Sequence, residues 1–167
     1  MRLLFDCETD GLLRKMTTIH CVVAMDIDTG EVFKFDDTGQ RESVTTGLTF
    51  LMSAKELWGH NLWGFDIEAC RSVVPFFHPC CKVYDTLILS RLFYNDLLDR
   101  DLRAKPANMP AQLYGRHSLE AWGYRMGVYK SEFGKQLDGD WSTYSPQMLE
   151  YCVGDVKANL PLVELFE

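Results

Sequence analysis

The sequence predicts an α/β fold: a mixed five-stranded sheet, an antiparallel meander first and parallel strands later, flanked by helices. Three observations carry this. Three strand-like runs open the chain, joined by a loop and a tight turn. Helical and strand-like segments then alternate. The 167 residues, 47% hydrophobic and 13% aromatic, suffice for one domain over 1–167 and are too apolar for a disordered chain.

The elements follow in order. Residues 2–6, RLLFD, form an apolar run. Residues 17–27, TTIHCVVAMDI, are rich in β-branched side chains and read as a long strand. The tight turn Asp28-Thr29-Gly30 leads into EVFKF, 31–35, which alternates apolar and polar positions. Residues 41–54 are expected to be helical, with Val44, Leu48 and Leu51 on one face. A short strand at 56–60 precedes a helix near 64–73 carrying Phe65, Ala69 and Val73. KVYDT, 82–86, is strand-like and leads into LILSRLFYN. Residues 99–116, with charges, glycine and two prolines, read as an irregular loop. A helix opens at His117-Ser118 and runs through Met126. A last helix to about residue 166 has Ser145 as its cap and Pro146 in its first turn.

Composition narrows the function classes. No apolar stretch reaches the roughly 18–20 residues of a membrane span. The start, MRLLFDCETD, meets an acid at position 6 and does not read as a signal peptide. Cytoplasmic location is the expectation. The six cysteines (7, 21, 70, 80, 81, 152) form no CxxC pair and read as reduced thiols, most of them small core residues. The net charge of −7 is unevenly spread: residues 91–135 carry 8 basic and 5 acidic side chains, between two acidic stretches. A backbone-binding patch beside an acidic site is one reading of that pattern; ordinary surface mixing is the other.

Three acidic stretches carry the chemistry. Asp6 and Glu8 are i, i+2, so a strand places both carboxylates on one face. Asp66, in GHNLWGFDIEA, follows a strand near a helix start, where a plain cap is the alternative. Tyr151 and Asp155 are i, i+4, on one face of the last helix among apolar neighbours. Each alone is weak. In this order, Asp-x-Glu, Asn-x3-Phe-Asp and Tyr-x3-Asp resemble the three exonuclease motifs of the DEDD superfamily, in its tyrosine branch. The histidine branch would place His five residues before the last Asp, where this chain has Glu150. YDTLILSRLFYNDL (84–97) and GRHSLEAWGYRMG (115–127) resemble the proofreading domain of short-tailed-phage family A DNA polymerases.

The resemblance implies a ribonuclease H-like fold and a 3′–5′ exonuclease acting on single-stranded or frayed DNA ends and releasing 5′-mononucleotides. It implies two divalent ions, Mg²⁺ or Mn²⁺, held by Asp6, Glu8, Asp66 and Asp155, with Tyr151 orienting the attacking water. Thr9, Leu12, Asn61 and Phe65 are the expected contacts to the 3′ end, Leu12 as an apolar wedge between the last two bases. His117 matches a family position without an assigned role. The segment corresponding to a polymerase is missing from this sequence, so a free-standing enzyme, a split-polymerase subunit and an excised domain are all expectations. The partners are then a DNA 3′ end and, for a subunit, a separate polymerase chain. An RNA exonuclease and a non-catalytic binding module are the competing readings.

Overall fold

The computed structural model describes residues 1–128 and 141–167. Its sheet has the order β3-β2-β1-β4-β5, built from β1 (Arg2–Thr9), β2 (Ile19–Asp26), β3 (Val32–Asp36), β4 (Glu56–Gly59) and β5 (Lys82–Asp85). β1 pairs antiparallel with β2 and parallel with β4; β2–β3 is antiparallel and β4–β5 parallel. The predicted mixed sheet is therefore observed, with β1 at its centre. β1 extends to Thr9, so Asp6 and Glu8 lie within the strand.

The alternation of β1 divides the core. Leu3, Phe5 and Cys7 pack with Leu48 and Leu51 of α1 (Val44–Met52) and with Ile67 and Cys70 of α2 (Asp66–Val73). Leu4 faces the other way, with Cys21, Trp58, Leu149, Cys152 and Val156. The last three of these, Leu149, Cys152 and Val156, belong to the helix Pro146–Phe166. By period 2, Asp6 and Glu8 share the face of Leu4. The apolar pattern of RLLFDCET thus delivers two acids to the side covered by the final helix.

Helix starts follow local chemistry. Ser43, Ser118 and Ser145 each accept a backbone N–H of the following turn, opening α1, α5 (Leu119–Met126) and α6 (Pro146–Phe166). Asp85 caps α3 (Thr86–Phe93), accepting from Leu87 and Ile88. One expectation is corrected. The stretch 99–116 is not all loop, because α4 spans Leu97–Ala104. Leu97 and Asp101 are buried one turn apart, an Asp96–Arg100 pair supports the exposed side, and Lys105 in the left-handed region ends the helix. Charge density hid a helix whose buried positions include an ion-paired Asp101.

Candidate active site

Asp6 and Glu8 reach the α6 side of the sheet at the point where β1 slips register. Glu8 pairs with Cys21 and Thr9 with Ile19, leaving His20 as an extra residue in β2. There the two carboxylates and the thiol of Cys152 each offer a donor atom within 4.8 Å of the others. Two carboxylates so close repel each other without a cation between them, and their oxygens suit a hard divalent ion. The residues therefore fit the expected metal.

Tyr151 and Asp155 lie one turn apart on α6, the helix that also carries Cys152. The Tyr151 ring packs edge-on against Trp141, with centroids 5.9 Å apart. Asp155 and Asp6 open onto one cavity of about 670 Å³, whose walls include His60, Asn61, Arg91, Arg116 and His117.

Asp66 takes a different position. The pairing of β1 with β4 ends at Leu4–Trp58, so the Cys7 N–H meets no strand on that edge. Asp66 Oδ1 accepts from Cys7 N and from Cys7 Sγ, both at 3.3 Å. The carboxyl is 3% exposed. Burial pushes it up to about 7, against the Cys7 hydrogen bonds that pull it down. Asp66 thus sits against the residue between Asp6 and Glu8, outside the tight donor group.

The expected substrate contacts divide. Leu12 is 76% exposed. Asn61 lines the cavity and holds a positive φ of 68°, with its N–H donated to Asp85 Oδ1 at 2.9 Å. Thr9 is buried and its hydroxyl donates to Gly11 O at 2.7 Å. Phe65 is partly buried against the α1–α2 core. Of the tryptophans, Trp58 and Trp122 are core residues, whereas Trp63 is 47% exposed.

Sequence reasoning left Arg91 and Arg116 unnamed and His117 without a role, although the basic segment 91–135 pointed to this wall. Trp122 Nε1–H donates to Ser90 Oγ at 2.8 Å, and Ser90 Oγ lies 2.7 Å from His117 Nδ1, which ties the imidazole to α3 and α5. Burial, then the charges of Arg125 and Arg91, lowers the His117 pKa. Asp85 also went unrecognised: its carboxylate takes the N–H groups of Asn61 and Trp63 as well as the α3 cap, tying the 60–65 loop to the sheet.

Comparison with known proteins bears on the fold and on the family. No protein-family profile matches the chain. The DNA-directed DNA polymerase of Enterobacteria phage T3 is 31% identical over 97% of this chain, and that of Escherichia phage T7 is 30% identical over 95%. The chain spans only about a quarter of the length of those polymerases (26% and 25%). Among solved structures, one described as the apo form of the nuclease superposes with a TM-score of 0.64 at 25% identity, covering 98% of this chain and 70% of its own. Brucella melitensis NrnC with bound Mg²⁺ gives 0.62 at 21% identity, covering 99% and 71%. Escherichia coli RNase D, an exoribonuclease, gives 0.60 at 16% identity, covering 99% and 38%. The sequence match to two phage DNA polymerases over nearly the whole chain, together with the fold shared with nuclease structures, supports a DnaQ-like 3′–5′ exonuclease.

Proposed function

We propose that the protein hydrolyses DNA from the 3′ end, one nucleotide at a time, using divalent cations held by Asp6, Glu8, Asp66 and Asp155. The observation that carries this is the meeting of opposite charges in one cleft: Asp6 of β1 and Asp155 of α6 line the same 670 Å³ cavity as Arg91 and Arg116. A phosphodiester fits that division, with its bridging oxygens toward the acids and neighbouring phosphates toward the guanidiniums.

The residues have distinct tasks. Asp6, Glu8 and Asp155 would hold the ions, and Asp66 would join them only by leaving its hydrogen bonds with Cys7. Bound divalent ions would lower the pKa of the attacking water and neutralise charge on the leaving 3′ oxygen. Tyr151 orients the attacking water through its hydroxyl; an ordinary phenol, near pKa 10, is too weak a base to deprotonate it. His117, on the cavity wall, offers its imidazole to a phosphate or sugar oxygen. Leu12 separates the terminal base from its neighbour, worth roughly 1–3 kcal/mol if it acts as a stacking surface. The polymerase relatives favour DNA over RNA, and a polymerase chain is the partner such an activity would serve.

The test is a 5′-labelled oligonucleotide with a single-stranded 3′ tail, incubated with protein and Mn²⁺. Stepwise shortening from the 3′ end is expected, abolished in Asp6→Ala and in EDTA. Equal digestion by Asp6→Ala would falsify the assignment. A matched RNA strand reports sugar preference. Tight single-strand binding in EDTA with no turnover on adding metal would instead mark a binding module.

A further inference from the structure

β1 carries a thiol contact to a candidate metal acid on each of its faces. On the α6 face, the Cys152 Sγ lies 3.4 Å from the Asp6 carbonyl oxygen and 3.5 Å from Asp6 Oδ2. On the α2 face, the Cys7 Sγ lies 3.3 Å from Asp66 Oδ1. Both cysteines are buried. The Asp6 carbonyl and carboxylate oxygens accept, so the Cys152 thiol is the donor toward that pair, and the Cys7 thiol faces Asp66 Oδ1 in the same way.

We infer that Cys152 and Cys7 are positioning residues, which hold the Asp6 and Asp66 carboxylates in one rotamer before a metal ion arrives. The inference deepens the nuclease reading and rests on Asp6 being a metal-holding acid. An S–H donor is weak, but it has properties that suit this place. It adds no charge beside the cation site, unlike a lysine or arginine. It binds a carboxylate loosely enough to yield when an ion binds. It also fills apolar space: Cys152 packs with Cys21, Leu149 and Val156. Partners behind metal ligands fix ligand orientation and change metal affinity by about 10–100-fold when strong hydrogen bonds are lost. A thiol belongs at or below the lower end of that range.

The experiment compares Cys152→Val, which keeps the approximate volume but has no donor, with Cys152→Ser, which keeps a donor. Mn²⁺ affinity is measured by electron paramagnetic resonance of the free ion, and melting temperature is measured in EDTA. Val is expected to weaken Mn²⁺ binding roughly 3–10-fold, whereas Ser stays within about twofold of wild type. Wild-type affinity in the Val variant overturns the inference. So does an equal loss in Ser and Val, which would assign the effect to packing. Wild-type protein that takes up no Mn²⁺ overturns the metal-site reading itself, and this inference with it. A second readout needs only the wild type and Cys152→Ser: their difference infrared spectrum isolates the S–H stretch. A stretch shifted to the hydrogen-bonded end supports the assignment, and a free-thiol frequency overturns it.

Discussion

Replacing Asp101 by alanine should cost more stability than any other single carboxylate change outside the acid cluster. Asp101 is 2% exposed. Its Oδ1 accepts from Arg125 Nε at 2.9 Å, and its Oδ2 from Arg125 Nη2 at 2.7 Å and Gly115 N at 2.8 Å. The Arg125 side chain is itself only 9% exposed, with its guanidinium 5.0 Å from the centre of the Trp122 ring. Removing the carboxylate strands a buried cation and a backbone N–H, an expected loss of about 3–5 kcal/mol. For a domain of this size each kcal/mol moves the melting temperature by about 2–4 °C, so the fall is roughly 6–20 °C. Urea unfolding gives the free energy and calorimetry the shift. Asp96→Ala, which breaks an exposed pair with Arg100, is the control and should change stability by less than about 1 kcal/mol. If the two variants melt together, the buried pair is not what holds α4 to α5. The double variant Asp101→Leu, Arg125→Met should regain part of the loss. There is also a pH signature. Burial pulls the Asp101 carboxyl up, but the Arg125 and Gly115 hydrogen bonds outweigh it and leave it below the ordinary carboxylate range. The contribution is therefore fully present above the unfolded value near pH 3.9 and is lost as the pH falls through the lower folded value.

Three further outcomes are expected. Mn²⁺ at about 100 times its dissociation constant should add about 2.7 kcal/mol to wild type, and nothing measurable to Asp6→Asn, as read by thermal melting. Asp66, pushed up to about 7 by burial, holds a proton in the folded protein that it loses in the unfolded chain; metal-free wild type should therefore lose stability as pH rises from about 4 to 7, and Asp66→Asn should remove that slope. Arg116→Ala should raise KM far more than it lowers kcat. Its log KM against log salt should lose about 0.7 of slope, the share of one single-strand phosphate contact; an unchanged slope would remove Arg116 from the strand path.

Much of the fold was legible because it rests on local rules. The β-branched run of β2, the turn at Gly30, and the Ser145 cap of α6 need no distant partner to be read. The acid positions were legible as periodicities: i, i+2 on a strand and i, i+4 on a helix. What escaped is what only long-range packing creates. Asp101 looks like a solvated residue in LLDRDLRA until Arg125 arrives from α5. Asp85 reads as the end of a strand, yet it anchors N–H groups 22 and 24 residues earlier. Cys152 reads as a core filler, and no spacing rule links it to Asp6. The α4 helix was missed for a related reason: its apolar stripe is interrupted by a buried acid whose neutralising partner lies elsewhere in the chain.

β1 leaves the ribosome well before the helix that covers it. Asp6 and Cys152 are 146 residues apart in the chain. A nascent chain whose α6 is still sheltered therefore carries only part of the acid cluster. At about 5–20 residues per second, that interval lasts on the order of ten seconds. The cluster closes in one late step, and no fragment that lacks either β1 or α6 can assemble it.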